Sequence, residues 1–238
     1  MEQILTKMIS NNDYSSIITF SNSVNKWTQH HALSGLFKGD HKMKGSEYVK
    51  SLQPGGGTDI NSALLEGITQ AEQSALAGKN LAPMITFLTD KVPDAQISDP
   101  EAISKNVQDR NTQKIPILTL GFGSDADKDL LQKISAQTNS MSRMISDGAD
   151  AQDQLEDFFK EIERPTLSNV QFNYLGNVKE DSLSEVSQGQ MFSGGEFVAV
   201  GETRNARGKL AVTVSADSRD GRVTSKTTLK EEKSVTDR

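Results

Sequence analysis

MITFLTD, residues 84–90, is a continuous apolar run that ends abruptly in a carboxylate. A strand with one wet face alternates apolar and polar residues, whereas an unbroken run suits a central parallel strand covered on both sides. On that reading Asp90 is delivered to the carboxyl edge of a sheet. Downstream, Asp99 to Asp109 reads as a helix with Pro100 at its first position, and Lys114 to Phe122 as another buried strand ending in Gly121-Phe-Gly-Ser124. Asp127 to Ala136 is again helical, and Met141 to Ile145 is a short strand. Asp150 to Ile162 is a helix with Leu155, Phe158, Phe159 and Ile162 on one face.

Upstream stands PGGGTDINSALLEGITQ, residues 54–70, in which three glycines and a threonine precede an amphipathic stripe of Ile60, Leu64, Leu65 and Ile68. Before it, Tyr48, Val49 and Leu52 suggest a short helix, Tyr14 to Ser21 a strand, and Ser23 to Trp27 a short second strand. Ile4, Leu5, Met8 and Ile9 recur at helical spacing until Asn11, Asn12 and Asp13 stop the pattern. Strands and helices joined by short links imply an α/β, doubly wound, mostly parallel sheet over residues 1–164. Pro165 marks a change. Val170 to Tyr174, Glu196 to Val200 and Lys209 to Val214 alternate as strands, so residues 165–214 read as a partial all-β, sandwich-like segment. Residues 215–238 are polar and read as a disordered tail, or as a strand pair deprived of partners.

Composition narrows the function. A formal net charge of −6 and a pI near 5.2, with scattered Lys and Arg, argue against a nucleic-acid partner, because phosphate neutralisation needs a basic face. The chain has no cysteine, which removes disulfides and thiol chemistry. No stretch approaches the ~18 apolar residues of a membrane span, and Met1-Glu2 opens no signal peptide. There is no Asn-x-Ser/Thr acceptor.

The glycine turn has three readings. Glycines ahead of a helix expose N–H groups to an anion, yet Gly-x4-Gly-Lys-Ser/Thr is absent, and the turn follows a helix rather than a first strand. Thr58 and Asp90 are hard oxygen donors that meet at the carboxyl rim of such a sheet and suit Mg2+. In the bland reading Thr58 or Asp59 caps a helix and Asp90 caps the next turn. Other chemistry is poorly supported. No Gly-x-Ser-x-Gly elbow occurs, His30, His31 and His41 share a polar loop without zinc spacing, and Gly121-Phe-Gly is explained as a strand-end turn. The acidic run Asp147, Asp150, Asp153, Glu156, Asp157 lacks an EF-hand pattern.

As an ordered set, Gly-Gly-Gly-Thr-Asp-Ile-Asn-x-Ala-Leu-Leu-x-Gly-Ile (55–68), Ile-Thr-Phe-Leu-Thr-Asp (85–90) and Leu-x-Leu-Gly-Phe-Gly (118–123) resemble a von Willebrand factor type A domain. Asp13-Tyr14 leading to Ile-Thr-Phe-Ser21 with Trp27 beyond, and Ile145-Ser-Asp147 before Leu155-x-x-Phe-Phe-x-Glu-Ile162, resemble the inter-alpha-trypsin inhibitor heavy chains, as does the β segment after Pro165. The resemblance implies a metal-ion-dependent adhesion site in which Thr58 and Asp90 are ligands and a partner's acidic residue completes the coordination. It also implies an absence: the family's Asp-x-Ser-x-Ser after the first strand has no counterpart here, so three of five ligand positions are missing. Lys91 stands where the family commonly has glycine, and its ammonium opposes a cation.

The missing strand would be the sheet's centre, flanked by Tyr14–Ser21 and Met84–Asp90, whose facing edges must then close on each other or remain open. The pattern reads as amino-terminally truncated, with Mg2+ held weakly or not at all. The role implied is a non-enzymatic extracellular module associated with hyaluronan matrix and protease-inhibitor complexes, binding a protein ligand through an acidic residue, with no nucleic acid and no membrane. The alternatives are an intracellular type A scaffold and an α/β nucleotide-binding enzyme using Gly55–Gly57.

Overall fold

The apolar run that ends at Phe122 has no wet face, and the computed structural model sets it at the middle of a parallel ladder. The structure describes residues 14–27, 40–76, 83–162, 167–183, 191, 198, 200–205, 209–218 and 221–229. Contacts divide the chain into Met1–Glu163 and Arg164–Arg238. In the first unit the elements are β1 (Ile17–Phe20), β2 (Val24–Trp27), α1 (Asp40–Ser51), α2 (Ile60–Leu76), β3 (Ile85–Thr89), α3 (Pro100–Arg110), β4 (Ile117–Phe122), α4 (Lys128–Ala136), β5 (Ser142–Ile145) and α5 (Ala151–Ile162). The helix read over Met1–Ser10, its stop at Asn11–Asp13, and His30 and His31 lie outside the described residues, as does the side chain of His41.

β3, β4 and β5 form a parallel sheet in that order, with Ile85 opposite Ile117 and Thr119 opposite Ser142. β4 is buried from Ile117 to Gly121. Its Thr119 hydroxyl is fully enclosed, donates to the Leu131 carbonyl at 3.0 Å, and lies 2.9 Å from both Ser135 Oγ and Ser142 Oγ. One hydroxyl thus ties α4, β4 and β5 together, and its burial is tolerated because its bonds are made. Ile60, Leu64 and Ile68 of α2, Ile103 and Val107 of α3, and Leu130, Leu131 and Ile134 of α4 close the core around Phe87 and Ile117.

Met84–Asp90 differs from the central position its sequence suggests, because among the described residues β3 pairs with β4 alone and β4 is the centre of the ladder. Only Phe87 and Thr89 of β3 are buried. β1 and β2 form a separate antiparallel pair, with Ile17 opposite Trp27. Of the two outcomes open to the facing edges, the described residues show no backbone closure of β1 on β3. They meet instead through side chains, the Phe20 and Phe87 rings stacking at 5.2 Å.

The second unit contains β6 (Ser168–Gly176), β7 (Leu210–Ser218) and β8 (Gly221–Leu229), antiparallel in that order. The segment read as a tail from residue 215 is therefore ordered as strand to Leu229, and residues 230–238 lie outside the described set. The reading as a bare polar tail fails because Val223, Thr224, Thr227 and Thr228 are β-branched, and because the ladder from Leu210 opposite Leu229 to Ser218 opposite Gly221 satisfies the backbone without a deep core. The strand read over Glu196–Val200 lies largely outside the described residues, and Val198 and Val200 belong to no strand.

Thr119→Val is expected to lower the stability of the first unit by about 1–3 kcal/mol, since the Leu131 carbonyl and the Ser135 and Ser142 hydroxyls lose their shared buried partner. Urea denaturation followed by the emission of Trp27, the chain's single tryptophan, reads that unit directly.

Candidate functional site

Gly56, at φ +83°, and Gly57 carry the chain into α2 along a path no bulkier residue follows. A Cβ on Gly57 would lie 2.5 Å from Asn22 Oδ1, 2.8 Å from Asp94 Oδ1 and 3.0 Å from Ala95 Cβ. Such closeness reflects hydrogen bonding. Gly57 N–H donates to Asn22 Oδ1 at 2.7 Å, Thr58 N–H to Asp94 Oδ1 at 2.5 Å, and Asp59 N–H to the Ser21 carbonyl at 2.9 Å. Asp94 N–H returns a bond to the Thr58 carbonyl at 3.3 Å. The turn thus fastens the loop after β1 to the loop after β3.

Asp59 caps α2, accepting from Ser62 N–H at 3.0 Å. α3 is capped by Asp99, whose carboxylate accepts from Ala102 N–H at 2.8 Å, so the capping reading belongs to Asp59 and Asp99 and not to Asp90. The dipeptide Asp99-Pro100, a cap followed by proline at the first helical position, is the signal for it.

Thr58 and Asp90 are placed differently. Thr58 is 7% exposed within the turn, while Asp90 is exposed just beyond Thr89, at the carboxyl end of β3. They lie on loops that Asp94 joins, yet no hydrogen bond between them is present among the described residues. Thr89 Oγ1 accepts from Lys91 N–H at 3.3 Å and donates to the Lys91 carbonyl at 3.2 Å, a local turn that fixes the backbone of Lys91 beyond Asp90. The loop then exposes Val92 and Ile97. Asn22 and Asp94 hold the site together without having been legible as candidates; each stands a few residues past the end of a strand on the same rim.

Two tests follow from this donor set. An anion cradle needs free N–H groups, and those of Gly57, Thr58 and Asp59 are already given to protein acceptors. A resident magnesium ion needs near-octahedral oxygen ligation. Among the described residues no three His, Asp or Glu side chains gather to hold a metal, Asp94 Oδ1 is engaged by Thr58 N–H, and Lys91 adjoins Asp90. These residues do not fit the ion.

The family model for the von Willebrand factor type A domain matches residues 1–161. The chain belongs to this family. This type A chain is 32% identical over 227 residues to the human inter-alpha-trypsin inhibitor heavy chain H6, covering 91% of this chain and 17% of that protein. It is 30% identical to the human heavy chain H2 over 196 residues, covering 80% of this chain and 20% of that one. A solved von Willebrand factor type A protein from Catenulispora acidiphila shares the fold at a TM-score of 0.69 and 12% identity, over 96% of this chain and 59% of its own. The chain spans about a fifth of the length of the heavy chains it matches. Type A domains are binding modules that often take a divalent metal. No helix among the described residues is long and apolar enough to cross a membrane.

Asp94→Ala strips Thr58 N–H of its acceptor and is expected to cost about 1–2 kcal/mol, whereas Asp90→Ala, at an exposed carboxylate, stays within about 0.5 kcal/mol of the parent. Parallel urea titrations of the two variants check the contrast.

Proposed function

We propose that this type A domain is a non-enzymatic, extracellular-type protein-binding module whose cation-dependent adhesion site is incomplete, with Thr58 and Asp90 as its remaining metal-facing residues. The single observation that carries the reading is the closed state of the turn's hydrogen bonds: Gly57, Thr58 and Asp59 spend their N–H groups on Asn22, Asp94 and Ser21. What remains accessible is a rim of side chains, Asp90, Lys91, Val92 and Ile97, on a loop anchored at both ends. Such a rim suits a macromolecular partner better than a nucleotide, which would need the backbone donors.

Similarity to inter-alpha-trypsin inhibitor heavy chains supports association with hyaluronan-rich matrix and protease-inhibitor complexes as the setting, and an extracellular location. A ligand presenting an acidic residue meets Asp90 without enough ligands to hold the bridging Mg2+, so cation-dependent capture is impaired. Magnesium alone supplies no chemistry that the chain's own residues complete.

Calorimetric titration with MgCl2 is expected to show no saturable binding tighter than about millimolar, the weakest range known for purpose-built divalent sites. ATP added in the presence of EDTA is expected to give no heat of binding. Micromolar affinity for Mg2+ that Asp90→Ala abolishes would show an intact adhesion site, and chelation-resistant ATP binding would replace the module with a nucleotide-dependent protein.

A further inference from the structure

Isomerisation of an aspartate begins when the amide nitrogen of the next residue reaches the side-chain carboxyl, so it needs a carboxylate and an N–H that are both free. Breaking a hydrogen bond to release either one adds to the barrier. Most aspartates with described side chains have committed carboxylates, as Asp59, Asp99 and Asp127 do in capping their helices. Asp90, Asp129, Asp147, Asp153 and Asp181 neither accept a hydrogen bond nor form an ion pair among the described residues. After Asp90, Lys91 N–H donates to Thr89 Oγ1 at 3.3 Å, and after Asp129, Leu130 N–H donates to Asp127 Oδ1 at 3.0 Å. After Asp153 and Asp181, the N–H groups of Gln154 and Ser182 donate to the Asp150 and Lys179 carbonyls at 2.9 and 3.1 Å. Asp147 is the exception: Gly148 N–H has no protein acceptor among the described residues.

The pair lies in the bend between β5 and α5, at the carboxyl end of β5, and both residues are exposed. With no side chain beside its nitrogen, Gly148 offers the least hindered attacking amide a chain can present. The Asp147 carboxylate rests against another glycine, since a Cβ on Gly123 would lie 2.6 Å from its Oδ2. One side chain holds both shoulders of the bend. Ser146 N–H donates to Gln154 Oε1 at 3.2 Å, while Gln154 Nε2 donates to Ser146 Oγ and to Asp150 Oδ2, each at 2.7 Å. Ala151 N–H donates to the Gly148 carbonyl at 3.2 Å. Between these fixed ends the N–H that joins Asp147 to Gly148 is left unbonded to protein.

We propose that Asp147-Gly148 is a site of spontaneous isoaspartate formation. The Gly148 nitrogen bonds to Asp147 Cγ, its proton and the carboxyl hydroxyl leave as water, and a cyclic imide results. Water then adds back at one of the two imide carbonyls. Cleavage of the N–Cγ bond restores aspartate, whereas cleavage of the bond from nitrogen to the Asp147 main-chain carbonyl carbon routes the backbone through Cγ. Nothing is oxidised or reduced, and water is the sole reactant. The span that Gln154 holds between Ser146 and Asp150 then contains one more main-chain atom, and the free carboxylate is the α-carboxylate. The carboxyl end of β5 thereby carries a change that depends on the age of the protein, and on neither an ion nor a partner.

The test keeps the intact chain folded in warm neutral buffer for several weeks. It is then digested with trypsin, and the peptide Met144–Lys160 is resolved by chromatography and electron-transfer fragmentation. The expected products are an imide lighter by one water and a separately eluting isomer of unchanged mass branched at residue 147. Isoaspartyl carboxyl methyltransferase with labelled S-adenosylmethionine should tag that isomer, while Asp90, Asp129, Asp153 and Asp181 stay as they are. Gly148→Val, whose Cβ meets only the outer end of the Asp150 side chain, should slow the reaction by about tenfold or more, equivalent to ~1.4 kcal/mol of added barrier. Asp147→Asn, which expels ammonia in place of water, should convert faster through the same imide. Trp27 emission establishes that each variant is folded. Product at residue 147 only after unfolding in urea overturns the proposal, as does an Asp147→Asn chain that stays unconverted while folded. Equal conversion at the other four aspartates overturns it too.

Discussion

Burial of β4 on both faces is the constraint to which the rest of the first unit is referred. A strand enclosed from Ile117 to Gly121 cannot leave backbone groups unpaired, so it requires a neighbour on each side and helices above and below. β3 and β5 supply the first, and α2, α3 and α4 contribute to the second. Thr119 sharpens the arrangement, because a hydroxyl in that position is tolerable only when α4 and β5 sit where Leu131, Ser135 and Ser142 can bond it. Once β3 is registered on β4, the loop that follows Thr89 is carried to the carboxyl rim, and Asp94 comes within reach of the glycine turn.

The rim is consequently a structural knot before it is a binding site. Side-chain acceptors from two separate loops, Asn22 and Asp94, satisfy the donors of Gly57 and Thr58 at the entry to α2, the Ser21 carbonyl takes that of Asp59, and the Asp59 carboxylate takes that of Ser62. That economy has a functional cost. The groups that would make the turn attractive to an anion are spent on holding the loops together, and among the described residues no three acidic or histidine side chains gather to hold a cation.

Much of this was legible in the chain itself. The alternation of strands and helices from residue 14 to Ile162 is written in apolar periodicity and in the Asp-Pro entry to α3, and the glycine turn in a run that has few other uses. What escaped reading was set by long-range pairing. ITFLT has the composition of a strand flanked on both edges; that its edge away from β4 faces β1 was legible, but that the two meet there through the Phe20 and Phe87 rings and not by backbone pairing among the described residues was not. Residues 221–229 look polar because the outer strand of a three-stranded sheet can be stabilised by its backbone and β-branched side chains with little burial, which composition does not report. Asn22 and Asp94 were invisible for a related reason, since each acts on a residue more than thirty positions away.

Gly57 has a consequence for how such a domain changes over time. The atoms nearest its absent Cβ belong to Asn22 and Asp94, which engage its own N–H and that of Thr58, so the demand for a hydrogen there comes from loop closure alone. A lineage freed from the need to hold an ion could vary the hydroxyl and the acid at the rim while this position stayed frozen. Retention of the glycine would then record the architecture's geometry rather than its chemistry, and its presence in a descendant would say nothing about whether an ion is still carried.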